Sequence, residues 1–199
     1  MENLSLSSKT TDDDLRIIGQ LTNLKILHLG SSPNITSKGI SHLANLKKLE
    51  DLNLSGCELI GDSGLKPLTT LSDSIKRLSL SFTNITGTFP SIEHILMCLD
   101  RAVQYLLLLD RLEVLTMSNC CITDVFLHFI HLFKSLKTLN VSYCYGITEN
   151  GVNFLSRLSN ITTNTVGCLP TPDTLIPGSQ PLPVGPQSSQ LPLDIPKFM

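Results

Sequence analysis

Residues 49–71 read LEDLNLSGCELIGDSGLKPLTTL, and the apolar positions Leu49, Leu52, Leu54, Cys57, Ile60, Leu65 and Leu68 return on both sides of this stretch. Upstream the same offsets hold Leu24, Leu27, Leu29, Ser32, Ile35, Ile40 and Leu43. Downstream they hold Leu136, Leu139, Val141, Cys144, Ile147, Val152 and Leu155. Copies open at Leu24, Leu49, Ile75, Leu112, Leu136 and Ile161, at intervals of 25, 26, 37, 24 and 25 residues. A unit this short cannot bury its apolar face alone, so successive copies must stack into one continuous core.

All intervals but one fall in the leucine-rich-repeat range of about 20 to 29 residues, where each unit is a short strand followed by a helix. The L-x-x-L-x-L-x-x-C opening, followed by Ile-Thr and a helical segment such as 124–132, resembles the cysteine-containing leucine-rich repeats, which include the substrate-recognition arms of F-box proteins and their F-box-free relatives. Cys57, Cys120 and Cys144 match the cysteine position of that family, and Ser32 and Thr83 replace it in other copies. The expected fold class is α/β: a right-handed leucine-rich-repeat solenoid, or horseshoe, with about six parallel strands on the concave face and helices on the convex face.

Three segments are expected: a repeat domain over 1–168, a long helical insertion at about 88–111 within it, and a Pro-rich disordered tail over 169–199. The copy opening at Ile75 is 12 residues longer than its neighbours, with Ile92, Ile95, Leu96, Leu99, Val103, Leu106 and Leu107 at helical spacing behind Pro90 and Ser91. These residues predict one amphipathic helix, either an insertion on the outer face or a partner-binding element. From Leu169 onward lie eight of the chain's eleven prolines, and polar, proline-rich sequence of that kind does not build a packed core. Pro183-Val184-Gly185-Pro186 matches P-x-x-P but has no flanking basic residues.

A net charge of −2 with 16% charged residues gives no basic footprint for nucleic acid or an anionic membrane. No segment reads as a secretory signal, and the most apolar run, 92–109, is broken by Glu93, His94, Asp100 and Arg101. These features predict a cytoplasmic or nuclear protein, with its cysteines reduced and buried. The six Asn-x-Ser/Thr sequons, at Asn3, Asn34, Asn53, Asn84, Asn140 and Asn160, support the rival reading of an extracellular glycosylated recognition domain. A third reading resembles the Ran GTPase-activating proteins, regulators built on longer repeats.

No nucleotide-binding, hydrolase or zinc-protease motif occurs, so the chain is expected to be no enzyme and to hold no cofactor and no metal. Asp12, Asp13 and Asp14 come directly after Thr11 and predict a capped helix start. His128 and His131, three apart, are expected to be partly buried structural side chains. The expected function is protein–protein interaction through the strand residues that alternate with the leucines. The candidate partner-binding side chains are His28, Asp51, Asn53, Arg77, Ser79, Thr116, Thr138 and Asn140, with Ile26 and Val114 completing the rows. A small-residue column, Ser7, Gly30, Ser55, Ser81, Ser118 and Ser142, comes after the last leucine of each strand and leaves the backbone approachable. The partner is a protein of unknown identity, and resemblance to the F-box-type arms implies adaptor work in ubiquitin-dependent turnover or signalling.

Another column alternates in sign: Glu2, Lys25, Glu50, Lys76, Glu113, Lys137. Opposite charges stacked across repeat junctions attract and fix register. Because the repeat phase reaches Met1, with Lys9 in the cysteine slot, the strand around Leu4 and Leu6 is expected to be an uncapped edge. That edge predicts fraying over about the first 20 residues, self-association, or a parent with further repeats upstream.

Overall fold

The computed structural model describes residues 1–6, 8–86, 101–155, 161 and 163–165. All belong to the unit Met1–Leu169, which is distinct from Pro170–Met199. The expected tail and the part of the insertion helix before residue 101 lie outside the described residues.

Seven three-residue strands form one parallel sheet in chain order: β1 (Asn3–Ser5), β2 (Ile26–His28), β3 (Asp51–Asn53), β4 (Arg77–Ser79), β5 (Val114–Thr116), β6 (Thr138–Asn140) and β7 (Thr163–Thr165). The central residues Leu4, Leu27, Leu52, Leu78, Leu115, Leu139 and Asn164 are in register. The sheet thus has one strand more than the approximate number expected, because the degenerate last copy pairs with β6. Leu27, Leu52, Leu78, Leu115 and Leu139 are essentially fully buried. So are the isoleucines of the loops after them, Ile35, Ile60, Ile85, Ile122 and Ile147.

The sheet is backed by α1 (Asp12–Ile18), α2 (Ser37–Ile40), α3 (Arg101–Leu107), α4 (Asp124–His128) and α5 (Glu149–Leu155). Between them run 3₁₀ segments, Ser41–Asn45, Asp62–Gly64, Pro67–Leu71 and Ile130–Leu132. The copy opening at Leu49 has only 3₁₀ helix on this side, where an α-helix was expected. Leu65, Leu68 and Leu71 are all buried, and their i, i+3 spacing is the period of a helix with three residues per turn. The end of the insertion forms α3, whose Ala102, Val103 and Leu106 are buried against the two 3₁₀ segments of the preceding copy.

The cysteine column is buried and reduced. Cys57 Sγ donates to the Leu29 carbonyl (3.4 Å), Cys120 Sγ to Leu80 (3.1 Å) and Cys144 Sγ to Met117 (3.0 Å), each in the preceding copy. Burial raises all three thiol pKa values, that of Cys144 to about 11. Ser32 occupies the same slot without making the bond: its Oγ is buried and unpartnered.

The first copy departs from the expected register in its loop. Lys9 is exposed, so it does not fill the cysteine slot, and Thr10 is buried at the entrance to α1 where later copies have isoleucine. Met1 is 77% exposed and Leu6 37%, because β1 is an edge strand with a neighbour on one side only.

Candidate functional site

The strand residues that alternate with the buried leucines form two straight rows. One runs Ile26, Asp51, Arg77, Val114, Thr138, and the other His28, Asn53, Ser79, Thr116, Asn140. All eight candidate side chains therefore share one face, as the alternation predicts. At its centre Arg77 Nε donates to Asp51 Oδ2 at 2.8 Å, and His28 Nε2 lies 3.7 Å from Asp51 Oδ1. The Asp51 bond raises the Arg77 pKa further above its ordinary value. Asp51 thus ties three successive strands together and leaves an imidazole and a guanidinium directed outward, each more than two-fifths exposed.

The second row is more occupied with the protein itself. Asn53 Oδ1 accepts the Ser55 N–H (2.9 Å), and Asn140 Oδ1 accepts both the Ser142 N–H (3.0 Å) and the Ser118 hydroxyl (2.9 Å). Ser55 and Ser79 share a hydroxyl bond of 2.6 Å. The small-residue column is therefore stitched into the strand ends, and Ser81 and Ser142 are buried where an approachable backbone was expected. On the same face His28, Asp51 and Arg77 pair with one another, with Thr116 and Thr138 beside them.

The charge column forms ion pairs. Lys25 reaches Glu2 (3.0 Å), Lys76 reaches Glu50 (2.8 Å) and Lys137 reaches Glu113 (2.9 Å), always towards the preceding copy. The bonds from Lys76 and Lys137, reinforced by their charges, lower the Glu50 and Glu113 pKa values.

The aspartate cluster divides its work. Asp14 accepts the Thr11 N–H (2.9 Å), which lowers its own pKa and closes α1. Asp12 instead crosses to the next copy, accepting the Thr36 N–H (2.9 Å) and hydroxyl (2.6 Å). Asp62 does the same to Thr86, at 2.9 and 2.8 Å, and Asp124 to Thr148, at 2.8 and 2.6 Å. Each pair is 24 residues apart, a spacing visible in the sequence once the threonine is known to be the receiving group.

These staples account for two of the sequons. In Asn34-Ile35-Thr36 and Asn84-Ile85-Thr86 the isoleucine fills the core and the threonine meets the aspartate, leaving an exposed asparagine in front. His128 and His131 are exposed, contrary to the partial burial expected; His128 stacks on Phe154 of the next copy at 4.9 Å. Among the described residues no group of three or more His, Cys, Asp or Glu side chains could hold a metal ion. No helix among them is long and apolar enough to cross a membrane.

A family model described as Leucine Rich repeat matches residues 20–44 and 45–68. Among solved structures, the chain is similar to one in the crystal structure of the Rad7 and Elc1 complex in yeast, with a TM-score of 0.61 and 19% identity over 81% of this chain. It spans 40% of that chain's length. It is also similar to an internalin C2 from Listeria monocytogenes strain 4b F2365, with a TM-score of 0.50 and 23% identity over 83% of this chain and 71% of that one. At these identities the likeness is one of fold.

Proposed function

We propose that this leucine-rich-repeat protein is a non-enzymatic interaction module that binds a protein partner on its strand face, through His28, Asp51, Arg77, Thr116 and Thr138. The observation that carries the reading is the His28–Asp51–Arg77 group, which sets outward-directed charge on a rigid sheet with Val114, Thr116 and Thr138 beside it. Repeat sheets of this kind offer an extended surface whose side chains can vary without disturbing the leucine core. Asn53, Ser79 and Asn140 border the same surface and hold its strand ends in shape.

In its finer form the proposal is a substrate-recognition adaptor in ubiquitin-dependent turnover or signalling, working in the cytoplasm or nucleus. The cysteine-column resemblance to F-box-type arms supports it, as does likeness of fold to a chain solved as part of a two-protein complex. Reduced, buried cysteines fit a reducing compartment.

The test is quantitative affinity purification of the parent beside Asp51→Ala/Arg77→Ala and Arg77→Glu, with circular dichroism to show that the variants fold. Selective loss of the same partners from both variants is the expected result. Partners recovered in unchanged amounts from both would remove the strand face as the binding surface.

A further inference from the structure

Every strand from β2 to β6 leads into a residue in the left-handed conformation: Ser31 (φ 58°), Gly56 (75°), Phe82 (56°), Asn119 (55°) and Tyr143 (59°). Glycine and asparagine suit this backbone, whereas a bulky aromatic side chain is an outlier there. Phe82 and Tyr143 keep that strained geometry and still gain little burial, being 53% and 51% exposed. Tyr145 and Leu59, on the same rim, are 68% and 58% exposed. Among the described residues, Phe82, Tyr143 and Tyr145 are the only exposed phenylalanine and tyrosine side chains, and all three sit at the carboxyl ends of the strands. Strain without burial, concentrated on one rim, points to a surface that is completed by something else.

The rim is shallowly indented. Phe82 and Glu58 together wall two adjoining clefts, one of about 530 Å³ that continues to Ser31 and Pro33, the other of about 280 Å³ that continues to Asn84 and Asn119. The charge is one-sided. Across the rim segments 31–34, 56–59, 82–84, 119–121 and 143–146 the sequence has one carboxylate, Glu58, and no lysine or arginine.

We propose that this rim docks a partner-protein segment that presents an arginine or lysine, its cation seated between Phe82 and Glu58. Phe82 and Glu58 line both clefts, so a cation seated there meets an aromatic ring and a carboxylate together, and Tyr143, two strands further along the rim, takes the neighbouring part of the segment. A guanidinium fits better than an ammonium because its plane stacks on the Phe82 ring while its edge donates to Glu58. The rim is separate from the strand face, and either could fail without the other.

The probe is the peptide acetyl-Gly-Arg-Gly-Arg-Gly-amide, its glutamate counterpart serving as control, titrated into the full chain while aromatic side-chain NMR resonances are monitored. Phe82 and Tyr143 ring signals are expected to shift with the arginine peptide and not with the glutamate peptide. Phe82→Asn is expected to weaken binding about two- to fivefold, the scale of one cation–π contact at an exposed site. The same substitution is expected to raise the melting temperature, because asparagine suits the left-handed backbone. Tyr143→Asn and Glu58→Gln are expected to weaken binding by smaller factors, and Asp51→Ala/Arg77→Ala to leave it unchanged. Rings that stay unshifted up to millimolar arginine peptide, equal shifts with the glutamate peptide, or full binding by both Phe82→Asn and Tyr143→Asn would each overturn the proposal.

Discussion

Replacing Gly39 with alanine puts a methyl group where the Asp12 carboxylate now sits, because a Cβ on Gly39 collides with Asp12 Oδ1 and Cγ and lies 3.1 Å from Leu15 Cδ1. Taken alone, glycine to alanine inside a helix stabilises by about 1 kcal/mol. Here the carboxylate cannot yield freely, since it accepts both the N–H and the hydroxyl of Thr36. Bonds to a charged acceptor contribute about 1.5–3 kcal/mol each, and for this part-buried pair about 2 kcal/mol in total is a fair measure. Gly39→Ala is therefore expected to destabilise by about 1 kcal/mol, the lost staple outweighing the helical gain. Asp12→Ala is expected to destabilise by about 2 kcal/mol.

In the double variant the clash has no object, so alanine at 39 supplies its helical gain and total destabilisation stays near 1 kcal/mol. The two substitutions are thus expected to couple by about 2 kcal/mol, well beyond the roughly 0.5 kcal/mol scatter of independent sites. Equilibrium urea unfolding of the four proteins, monitored by circular dichroism, measures the cycle. Additive effects, or a Gly39→Ala variant more stable than the parent, would refute the staple. Gly151 and Asp124 repeat the arrangement with Thr148 and provide an internal replicate.

Lys76→Glu is expected to lower the melting temperature by facing Glu50 and Glu113, with the loss shrinking in high salt; an unmoved melting temperature at low salt would make the alternating column incidental. Because pairing lowers the Glu50 pKa, the contribution of Lys76 is complete above the ordinary value of 4.5 and disappears as the pH falls through the lowered folded-state value, so the melting-temperature gap between parent and Lys76→Gln is expected to close below pH 4.5. Ser32→Ala is expected to stabilise by about 1 kcal/mol by removing a buried hydroxyl that makes no bond, and a loss of stability would show that the hydroxyl has a partner after all. In a native thiol-labelling time course read by peptide mass, Cys121 is expected to react before the other cysteines of the described residues, Cys57, Cys120 and Cys144, which react only on unfolding, since burial both shields these thiols and keeps them protonated; rapid labelling of Cys144 would contradict the packing.

Most of the sheet was legible because the leucine slots admit one register: a shift by a single residue would turn every leucine outward and every Asp51 or Arg77 inward. The cysteine slot was legible for the same reason, since a small side chain is all that fits beneath the preceding strand end. Helix type was not, because i, i+3 leucines are compatible with both an α-helix and the 3₁₀ turns adopted around Pro67. The role of Asp12 was obscured by its neighbours. Three aspartates after Thr11 read as a local cap, and only Asp14 answers to that description, whereas the partner of Asp12 lies 24 residues away. His128 was misjudged for a related reason: the ring it stacks on, Phe154, belongs to the next copy.

These successes and failures have one physical origin. In a stacked-repeat protein a residue's decisive neighbours are the equivalent residues of adjacent copies, so local spacing identifies a slot but the column identifies what the slot requires. The left-handed column makes the distinction concrete. Gly56 and Asn119 meet its backbone requirement, and Phe82 and Tyr143 do not, although the same chain shows in its other copies that better residues fit. The strand rows behave alike, with Asp51 and Arg77 standing among Ile26, Val114 and Thr138, where uncharged side chains serve the sheet equally well. Phe82 and Tyr143 are not explained by the needs of their column, and Asp51 and Arg77 answer each other across theirs. Residues that satisfy the column account for stability, and those that depart from it, here on the rim and at the centre of the strand face, are where the proposed binding is placed.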